Sequence, residues 1–185
     1  IALSAHIGNW ELGGAALSFS GYPIAAVTLT HQNKKINDFF TRQRMLGGVR
    51  PIEIGLSLRS CYSVLKNNGL LALLGDRDFS KNGIRMEFFG KKTLIPKGPA
   101  ALSHRMGSAI VPTFLIRNPD YSFKLIIDEP IFPNPEDPEE EAIVNLTRRY
   151  LATIESCIRR YPAEWCVFRN IWGEDAESMR PDTII

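Results

Sequence analysis

The stretch IALSAHIGNWELGGAALSFSGYPIAAVTL, residues 1–29, predicts a strand, a helix and a second strand in succession. The β-rich run IALSA predicts the first strand and YPIAAVTL the second. Between them, Asn9 is a suitable N-cap for a helix over NWELGGAALSFS, and Gly21 is a suitable stop. Strands that alternate with helices favour an α/β layer architecture.

The same alternation continues along the chain. Apolar residues recur at roughly helical spacing in 33–46, and a further helix is predicted in 57–68. The run LLALLG (70–75) is uninterrupted, which is typical of a strand buried in a parallel sheet. The predicted fold is therefore α/β, with a mixed, largely parallel sheet flanked by helices.

The second half of the chain adds two strands and two helices to this prediction. The sequence KGPAALSHRMG predicts a helix with Pro99 in its first turn. AIVPTFLI and SFKLIIDEPI predict paired strands joined by a turn at 118–120, and apolar positions from Ile143 to Tyr161 mark one face of a last long helix. The segment 79–96 is treated as a long polar and basic stretch, and the tail 173–185 is predicted to be poorly ordered.

Length and composition bound the class of protein. A chain of 185 residues with 44% hydrophobic residues can bury the core of one domain, so a single domain over 1–185 is predicted. A net charge of +2 is too small to indicate nucleic acid as a partner. Three distant cysteines without CxxC spacing argue against a disulfide framework and against a zinc knuckle.

The start of the chain predicts a fragment. No apolar run reaches the roughly 18 residues that cross a bilayer, yet the first residue already lies in a predicted strand, with no initiator or leader before it. We therefore expect that the natural N-terminus, with any membrane-anchoring helix in it, is missing.

The hexapeptide HIGNWE places an imidazole and a carboxylate five positions apart. In one continuous helix His6 and Glu11 would point about 140° apart. If the strand ends near His6 and the helix begins at Asn9, Glu11 in the first turn can point back and accept the Nδ1 proton, which leaves Nε2 as a base. An incidental ion pair is the alternative, but the carboxyl end of a strand is where α/β folds place their sites.

Two other kinds of site have little support in the sequence. The remaining histidines, His31 and His104, are remote from His6 and lack metalloprotease spacing, so no metal site is predicted. A covalent mechanism would require a serine or cysteine on a nucleophile elbow, and no GxSxG is present.

Four stretches in fixed order carry a family resemblance. They are HIGNWE, FFTRQR (39–44), the long block GDRDFSKNGIRMEFFGKKTLIPKGPAALSHRMGSAIVP (75–112) and YPAEWCVFRNIW (161–172). Together they resemble the late acyltransferases of lipid A biosynthesis, the lauroyl/myristoyl type within the lysophospholipid acyltransferase superfamily. The resemblance covers nearly the whole chain and implies a single domain of the glycerol-phosphate-acyltransferase-like fold.

The resemblance implies an enzyme at the cytoplasmic face of the inner membrane. Such an enzyme moves a fatty acyl chain from an acyl-carrier-protein or coenzyme A thioester to a hydroxyl of a lipid A precursor, and it needs no cofactor. His6 would be the general base and Glu11 its orienting partner. The expected partners are the acyl carrier protein, the glycolipid acceptor and the membrane surface.

Further residues are candidates for substrate binding. Asn9 lies within the hexapeptide. Arg44, and with it Arg42, resembles the family's arginine that engages the phosphorylated substrate or supports the site, although both also suit a solvated helix face. Asp76 and Asp78 follow a buried strand at the sheet edge expected for His6, and one of the two either holds an arginine or caps the next loop. Lys97 belongs to a basic group that either binds phosphate or an acidic carrier protein or is ordinary surface.

One departure from the family pattern bears on the acceptor. The family's C-terminal Trp-x-Trp-x-His-Arg-Arg-Trp is represented here by Trp165, Val167, residues 169–171 and Trp172. Acylation of another glycolipid or of a lysophospholipid, for example a phosphatidylinositol mannoside, is therefore an alternative. A non-catalytic module that binds lipid or carrier protein is a third hypothesis, from a different class.

Overall fold

A six-stranded sheet lies at the centre of the computed structural model, which describes residues 1–54, 58–79 and 82–172. The strands are β1 (Ala2–Ser4), β2 (Ile24–Thr28), β3 (Val49–Glu53), β4 (Leu70–Leu74), β5 (Ile84–Phe88), β6 (Lys91–Ile95), β7 (Val111–Arg117) and β8 (Phe123–Ile127). The helices are α1 (Trp10–Phe19), α2 (Lys34–Leu46), α3 (Leu58–Lys66), α4 (Gly98–Met106) and α5 (Glu139–Arg160), followed by a 3₁₀ turn over Pro162–Glu164.

The sheet confirms the predicted α/β class. Its strand order is β3-β2-β4-β1-β7-β8. All neighbouring strands from β3 to β7 are parallel, and β8 pairs with β7 in the antiparallel direction. The sheet is thus mixed and largely parallel, as predicted, and the predicted pair of late strands is its antiparallel edge.

Strands β5 and β6 differ from the sequence-based prediction. They form a separate antiparallel hairpin inside the segment 79–96, for which the sequence predicts only a long polar and basic stretch. Phe89 and Gly90 connect them, both with positive φ, as a two-residue hairpin turn of matching twist requires. The charged residues of the segment conceal an alternating pattern, in which Arg85 and Glu87 of β5 are exposed whereas Phe88, Thr93 and Ile95 are buried.

The sheet separates two apolar layers, because successive residues of a strand point to opposite faces. Ala2 of β1 packs in the smaller cluster, with Leu17 of α1. Leu3 packs on the other face in the larger cluster, which includes Ile154 of α5. Helix α1 therefore covers one face, with α2 beside it next to β3, whereas α3, α4 and α5 cover the other.

Helix α5 is the longest element and confirms the last predicted helix. Its apolar face is buried against the sheet and α4, and the fully buried Tyr150 donates a hydrogen bond to the carbonyl of Pro96 at 2.9 Å. The predicted tail, 173–185, lies outside the described residues. Among the described helices, none is long and apolar enough to traverse a bilayer.

Candidate active site

The carboxyl ends of β1 and β4 bring together two side chains that are 70 positions apart in sequence. The two strands are parallel neighbours, with Ser4 opposite Leu74. His6 lies two residues after Ser4, and Asp76 lies two residues after Leu74. Because the carboxyl ends of parallel strands meet at one edge of a sheet, the imidazole and the carboxylate lie side by side.

Asp76 binds His6 through two hydrogen bonds. The Nδ1 atom of His6 lies 2.9 Å from Oδ1 of Asp76, and the backbone N–H of His6 donates to Oδ2 at 2.9 Å. The side chain of Asp76 is fully buried, whereas that of His6 keeps 15% of its surface exposed. A carboxylate only accepts hydrogen bonds. The contact therefore places the proton on Nδ1 and leaves Nε2 as the basic nitrogen.

A third donor reaches Asp76 from the segment that follows α5. The indole N–H of Trp165 donates to Oδ2 at 3.1 Å. Burial acts to raise the pKa of the Asp76 carboxyl, but the hydrogen bonds and charge of His6 and the hydrogen bond from Trp165 outweigh it. The pKa of Asp76 is therefore lowered below its ordinary value of 3.8, and the carboxylate stays ionised although it is buried.

Glu11 has a different partner from the predicted one. Its carboxylate forms a bidentate ion pair with Arg44 of α2. Nε of Arg44 lies 2.9 Å from Oε2 of Glu11, and Nη2 contacts Oε1. The predicted contact between Glu11 and Nδ1 of His6 is therefore wrong, because Asp76 occupies that nitrogen. The spacing argument failed since the helix that begins at Trp10 carries Glu11 towards α2.

The loop between β1 and α1 is fixed by backbone contacts. The N–H of Gly8 donates to the carbonyl of Glu164, and that of Asn9 donates to the carbonyl of Leu115. Gly8 has φ +62°, and a Cβ there would lie 2.0 Å from the carbonyl oxygen of Leu115. The side chain of Asn9 caps α1 by accepting from the N–H of Leu12 at 3.0 Å.

Aromatic rings flank the imidazole. The ring of Trp10 lies edge-on at 5.2 Å between centroids, and that of Phe79 lies tilted at 6.1 Å. Two apolar rings therefore border the imidazole. Among the described residues, no group of three or more His, Cys, Asp or Glu side chains could hold a metal ion.

Two predicted substrate-binding residues lie on the surface, apart from this cluster. Arg42 is exposed on α2, and Lys97 is exposed at the start of α4. Among the described residues, no contact links either of them to His6, Glu11 or Asp76. Asp76 itself binds a histidine and a tryptophan, so it takes neither of the two roles predicted for Asp76 or Asp78. Asp78, its neighbour, accepts a hydrogen bond from the N–H of Gly83 in the following loop.

Three neighbours of the site were missed from the sequence as site residues. Trp165 stands within a stretch noted for its family resemblance, but nothing local indicated that it reaches Asp76. Arg77 and Phe79 lie one and three positions after Asp76, so the position of Asp76 after a buried strand was a usable signal for both. The guanidinium of Arg77 lies 4.3 Å from the ring centroid of Phe79.

The fold and the site together define an α/β domain with a histidine–carboxylate pair at the carboxyl edge of its sheet. The family model for bacterial lipid A biosynthesis acyltransferases matches residues 1–174, and the chain belongs to that family. The family predicted from the four motif stretches is thereby confirmed.

Curated relatives with a different name are also similar to this chain. A phosphatidylinositol mannoside acyltransferase of Mycolicibacterium smegmatis is 24% identical over 179 residues, which are 95% of this chain and 57% of the relative. A phosphatidylinositol mannoside acyltransferase of Mycobacterium tuberculosis is 24% identical over 180 residues, 95% of this chain and 55% of the relative. The chain thus spans little more than half the length of these relatives.

Proposed function

We propose that this protein transfers a fatty acyl chain from a thioester to a hydroxyl of a membrane glycolipid, with His6 as the general base. The observation that carries the proposal is the contact of the buried Asp76 carboxylate with Nδ1 of a partly exposed imidazole. A carboxylate in this position fixes the tautomer and stabilises the imidazolium that forms during proton transfer. Membership of the acyltransferase family supports the same reaction.

The proposed reaction needs one base and no covalent intermediate on the protein. Nε2 of His6 takes the proton of the acceptor hydroxyl while the hydroxyl oxygen attacks the thioester carbonyl. The tetrahedral intermediate then collapses, the carbon–sulfur bond breaks, and the imidazolium returns its proton to the leaving thiolate. The products are an ester and a free thiol. Positioning of the two substrates side by side supplies much of the rate.

Glu11 has a positioning role in this proposal. Its ion pair with Arg44 joins the first turn of α1 to the last turn of α2, and the guanidinium of Arg44 also lies 5.7 Å from the ring centroid of Phe40. The side chain of Arg44 is 13% exposed, so the pair is partly removed from water. It thereby holds α2 against the start of α1, whose preceding loop carries His6.

The donor that we propose is an acyl-carrier-protein or coenzyme A thioester, and the acceptor is a lipid A precursor. The family name supports this acceptor. The names of the mycobacterial relatives favour a second acceptor of the same chemical kind, a phosphatidylinositol mannoside. Both acceptors present a sugar hydroxyl beside a lipid anchor and a phosphate.

We also propose that the enzyme works at the cytoplasmic face of the inner membrane and that α2 touches the bilayer. This helix has no buried residue, and its exposed apolar side chains include Phe39 and Leu46, which are 57% and 66% accessible. Lys34, Lys35 and Arg42 on the same helix suit an anionic lipid surface. An amphipathic helix of this composition is typical of interfacial binding.

The test of the reaction is an assay with acyl-carrier-protein thioesters and each of the two acceptors. His6→Ala is expected to lower turnover by a hundredfold or more, the usual scale for loss of a general base, with near-ultraviolet circular dichroism confirming a retained fold. Turnover at the wild-type rate in His6→Ala would contradict the proposal. A wild type without any turnover, whose function in cells is unchanged by His6→Ala, would favour a binding module. Mass spectrometry of lipids from cells lacking the gene identifies the acceptor, because an unchanged lipid A would exclude the first candidate.

A further inference from the structure

Arg77 carries a hydrogen-bond donor that the fold leaves unused. Its Nη2 atom is buried, and no atom of the described residues accepts a hydrogen bond from it. A buried guanidinium donor without an acceptor is costly, since it has given up water and gained nothing in return. Such a group therefore indicates a missing ligand.

The obvious internal acceptor, Asp76, is already committed. Its Oδ1 faces Nδ1 of His6, and its Oδ2 accepts from the backbone of His6 and from Trp165. Asp76 attracts the Arg77 cation at longer range only. Burial and the charge of Arg169 lower the pKa of Arg77, and the charge of Asp76 opposes this lowering. The carboxylate that neutralises the imidazole thus does not satisfy the guanidinium.

A second guanidinium makes the position more strongly cationic. Arg169 is partly buried and lies close enough for its charge to repel that of Arg77. Among the described residues, no carboxylate forms an ion pair with either arginine. Two guanidinium groups within electrostatic range form a favourable pair of donors when an anion with several oxygens lies between them.

Phe79 connects this cationic position to the active site. One side of its ring faces the guanidinium of Arg77 at 4.3 Å, and the ring also lies 6.1 Å from the imidazole of His6. An anion bound by Arg77 would therefore lie next to the reacting groups. The stacked ring also restricts the rotation of the guanidinium, which prepares it for binding.

We propose that Arg77 and Arg169 form a phosphate-binding subsite beside His6. This inference rests on the proposed function, because it assigns the phosphate of one of the two substrates to this position. The chemistry is that of a phosphate ester, which can come either from the phosphopantetheine arm of the acyl donor or from the phosphate of the glycolipid acceptor. Bidentate contacts with the phosphate oxygens would satisfy the Nη2 donor and relieve the repulsion between the two cations.

Kinetics of Arg77→Gln with matched substrates test the proposal and identify the phosphate. The donor arm compares acyl-phosphopantetheine with acyl-pantetheine, and the acceptor arm compares a phosphorylated glycolipid with its dephosphorylated form. We expect KM to rise on the order of tenfold or more for one phosphate-bearing substrate, and not for its phosphate-free analogue. An equal effect on both members of each pair, or no effect, would overturn the subsite.

A titration with inorganic phosphate separates the subsite from the reaction. Phosphate should shift the arginine side-chain ¹⁵N signals of the wild type, and Arg77→Gln or Arg169→Gln should abolish the shift. The matched control is Arg148→Gln, which removes an exposed guanidinium from α5 and should leave the titration unchanged. Phosphate binding without acyl transfer would support the subsite and contradict the proposed function, whereas acyl transfer without a phosphate response would do the reverse. If Arg77→Gln does not fold, the subsite is tested by the wild-type titration together with Arg169→Gln, in which the phosphate-dependent shift should be lost.

Discussion

At the residue scale, the charge of Asp76 is the feature on which the imidazole depends. Asp76→Asn preserves the shape of the side chain but removes the charge that holds the proton on Nδ1. We expect turnover to fall on the order of a thousandfold, as is usual when such a histidine loses its carboxylate. The ¹⁵N signals of the His6 ring should show a changed tautomer in the variant.

Glu11→Gln is the matched control for this prediction, because it neutralises the other acidic candidate. Loss of the ion pair with Arg44 should weaken the contact between α1 and α2 but leave the Nδ1 proton of His6 in place. A variant Glu11→Gln with an altered tautomer and the same loss of turnover would return the orienting role to Glu11.

The lowered pKa of Asp76 also predicts a pH dependence of stability. A carboxyl whose folded-state pKa lies below the unfolded value stabilises the fold at pH values above the unfolded pKa, and this stabilisation is lost as pH falls through the folded pKa. The wild type should therefore exceed Asp76→Asn in free energy of unfolding most clearly above pH 5. The difference should shrink below the ordinary value of 3.8. Urea unfolding at pH 7 and pH 3 measures it, and a difference that grows at pH 3 would contradict the assignment.

At the element scale, the turn from β1 into α1 depends on a glycine. In Gly8→Ala the new methyl group would collide with the carbonyl of Leu115, besides straining a backbone with φ +62°. We expect a loss of more than about 2 kcal/mol in free energy of unfolding, since strain and a backbone clash add. Thermal or urea unfolding measures the loss.

Gly107→Ala serves as the comparison, because Gly107 has φ +60° and open space around its Cβ position. Its cost should be only that of the left-handed conformation, about 1 kcal/mol. Equal losses in the two variants would show that the close approach to Leu115 is unimportant.

The proposed membrane contact of α2 is a second prediction about an element. Phe39→Ser removes an exposed aromatic side chain from the helix and should weaken binding to vesicles with anionic lipids several-fold, measured by co-sedimentation. Phe132→Ser removes a similarly exposed ring, 63% against 57% accessible, from outside α2 and should have no effect. Equal effects would assign the membrane contact to some other surface.

Elements were largely predictable from the sequence because their signals are local. Asn9 accepts the predicted N-cap hydrogen bond in α1, Asn33 forms the same kind of cap in α2, and Gly107 ends α4 with the left-handed φ that favours glycine. The hairpin of β5 and β6 was missed because lysine and arginine on its exposed face obscured the alternation. The apolar residues of that hairpin are recognisable only when their burial is known.

At the scale of the whole molecule, the segment after α5 returns to the beginning of the chain. The N–H of Cys166 donates to the carbonyl of His6, and Ile7 pairs with Trp165 in an isolated bridge. The indole of Trp165 completes the surroundings of Asp76. The site is therefore built from three distant parts of the sequence.

Trp165→Phe tests this closure. The variant keeps a ring beside Phe89 and Trp172 but loses the hydrogen bond to the carboxylate, so we expect a loss of about 2 kcal/mol in free energy of unfolding and a higher pKa of Asp76. Trp172→Phe is the matched control, because its indole donates instead to the carbonyl of Phe88 at 3.0 Å. The control should leave the titration of Asp76 unchanged, as followed by ¹³C NMR. An unchanged Asp76 pKa in Trp165→Phe would contradict the role of the indole.

The composition of the site was only half predictable, and the reason is long-range. His6 and the general region of Asp76 followed from strand ends, but the pairing of the two depends on β1 and β4 being neighbours. Strand order is set by how all the elements pack, and no local pattern encodes it. The nearby Glu11 was therefore chosen in place of a carboxylate that is distant in sequence and adjacent in space.

The return of the last segment to the first strand has a consequence for biosynthesis. A ribosome releases His6 early, Asp76 later and Trp165 near the end of the described chain, so the imidazole exists long before it has its partners. Catalytic competence would thus appear only once the whole domain has been made and closed. In a refolding experiment, recovery of activity should lag behind recovery of the helical signal.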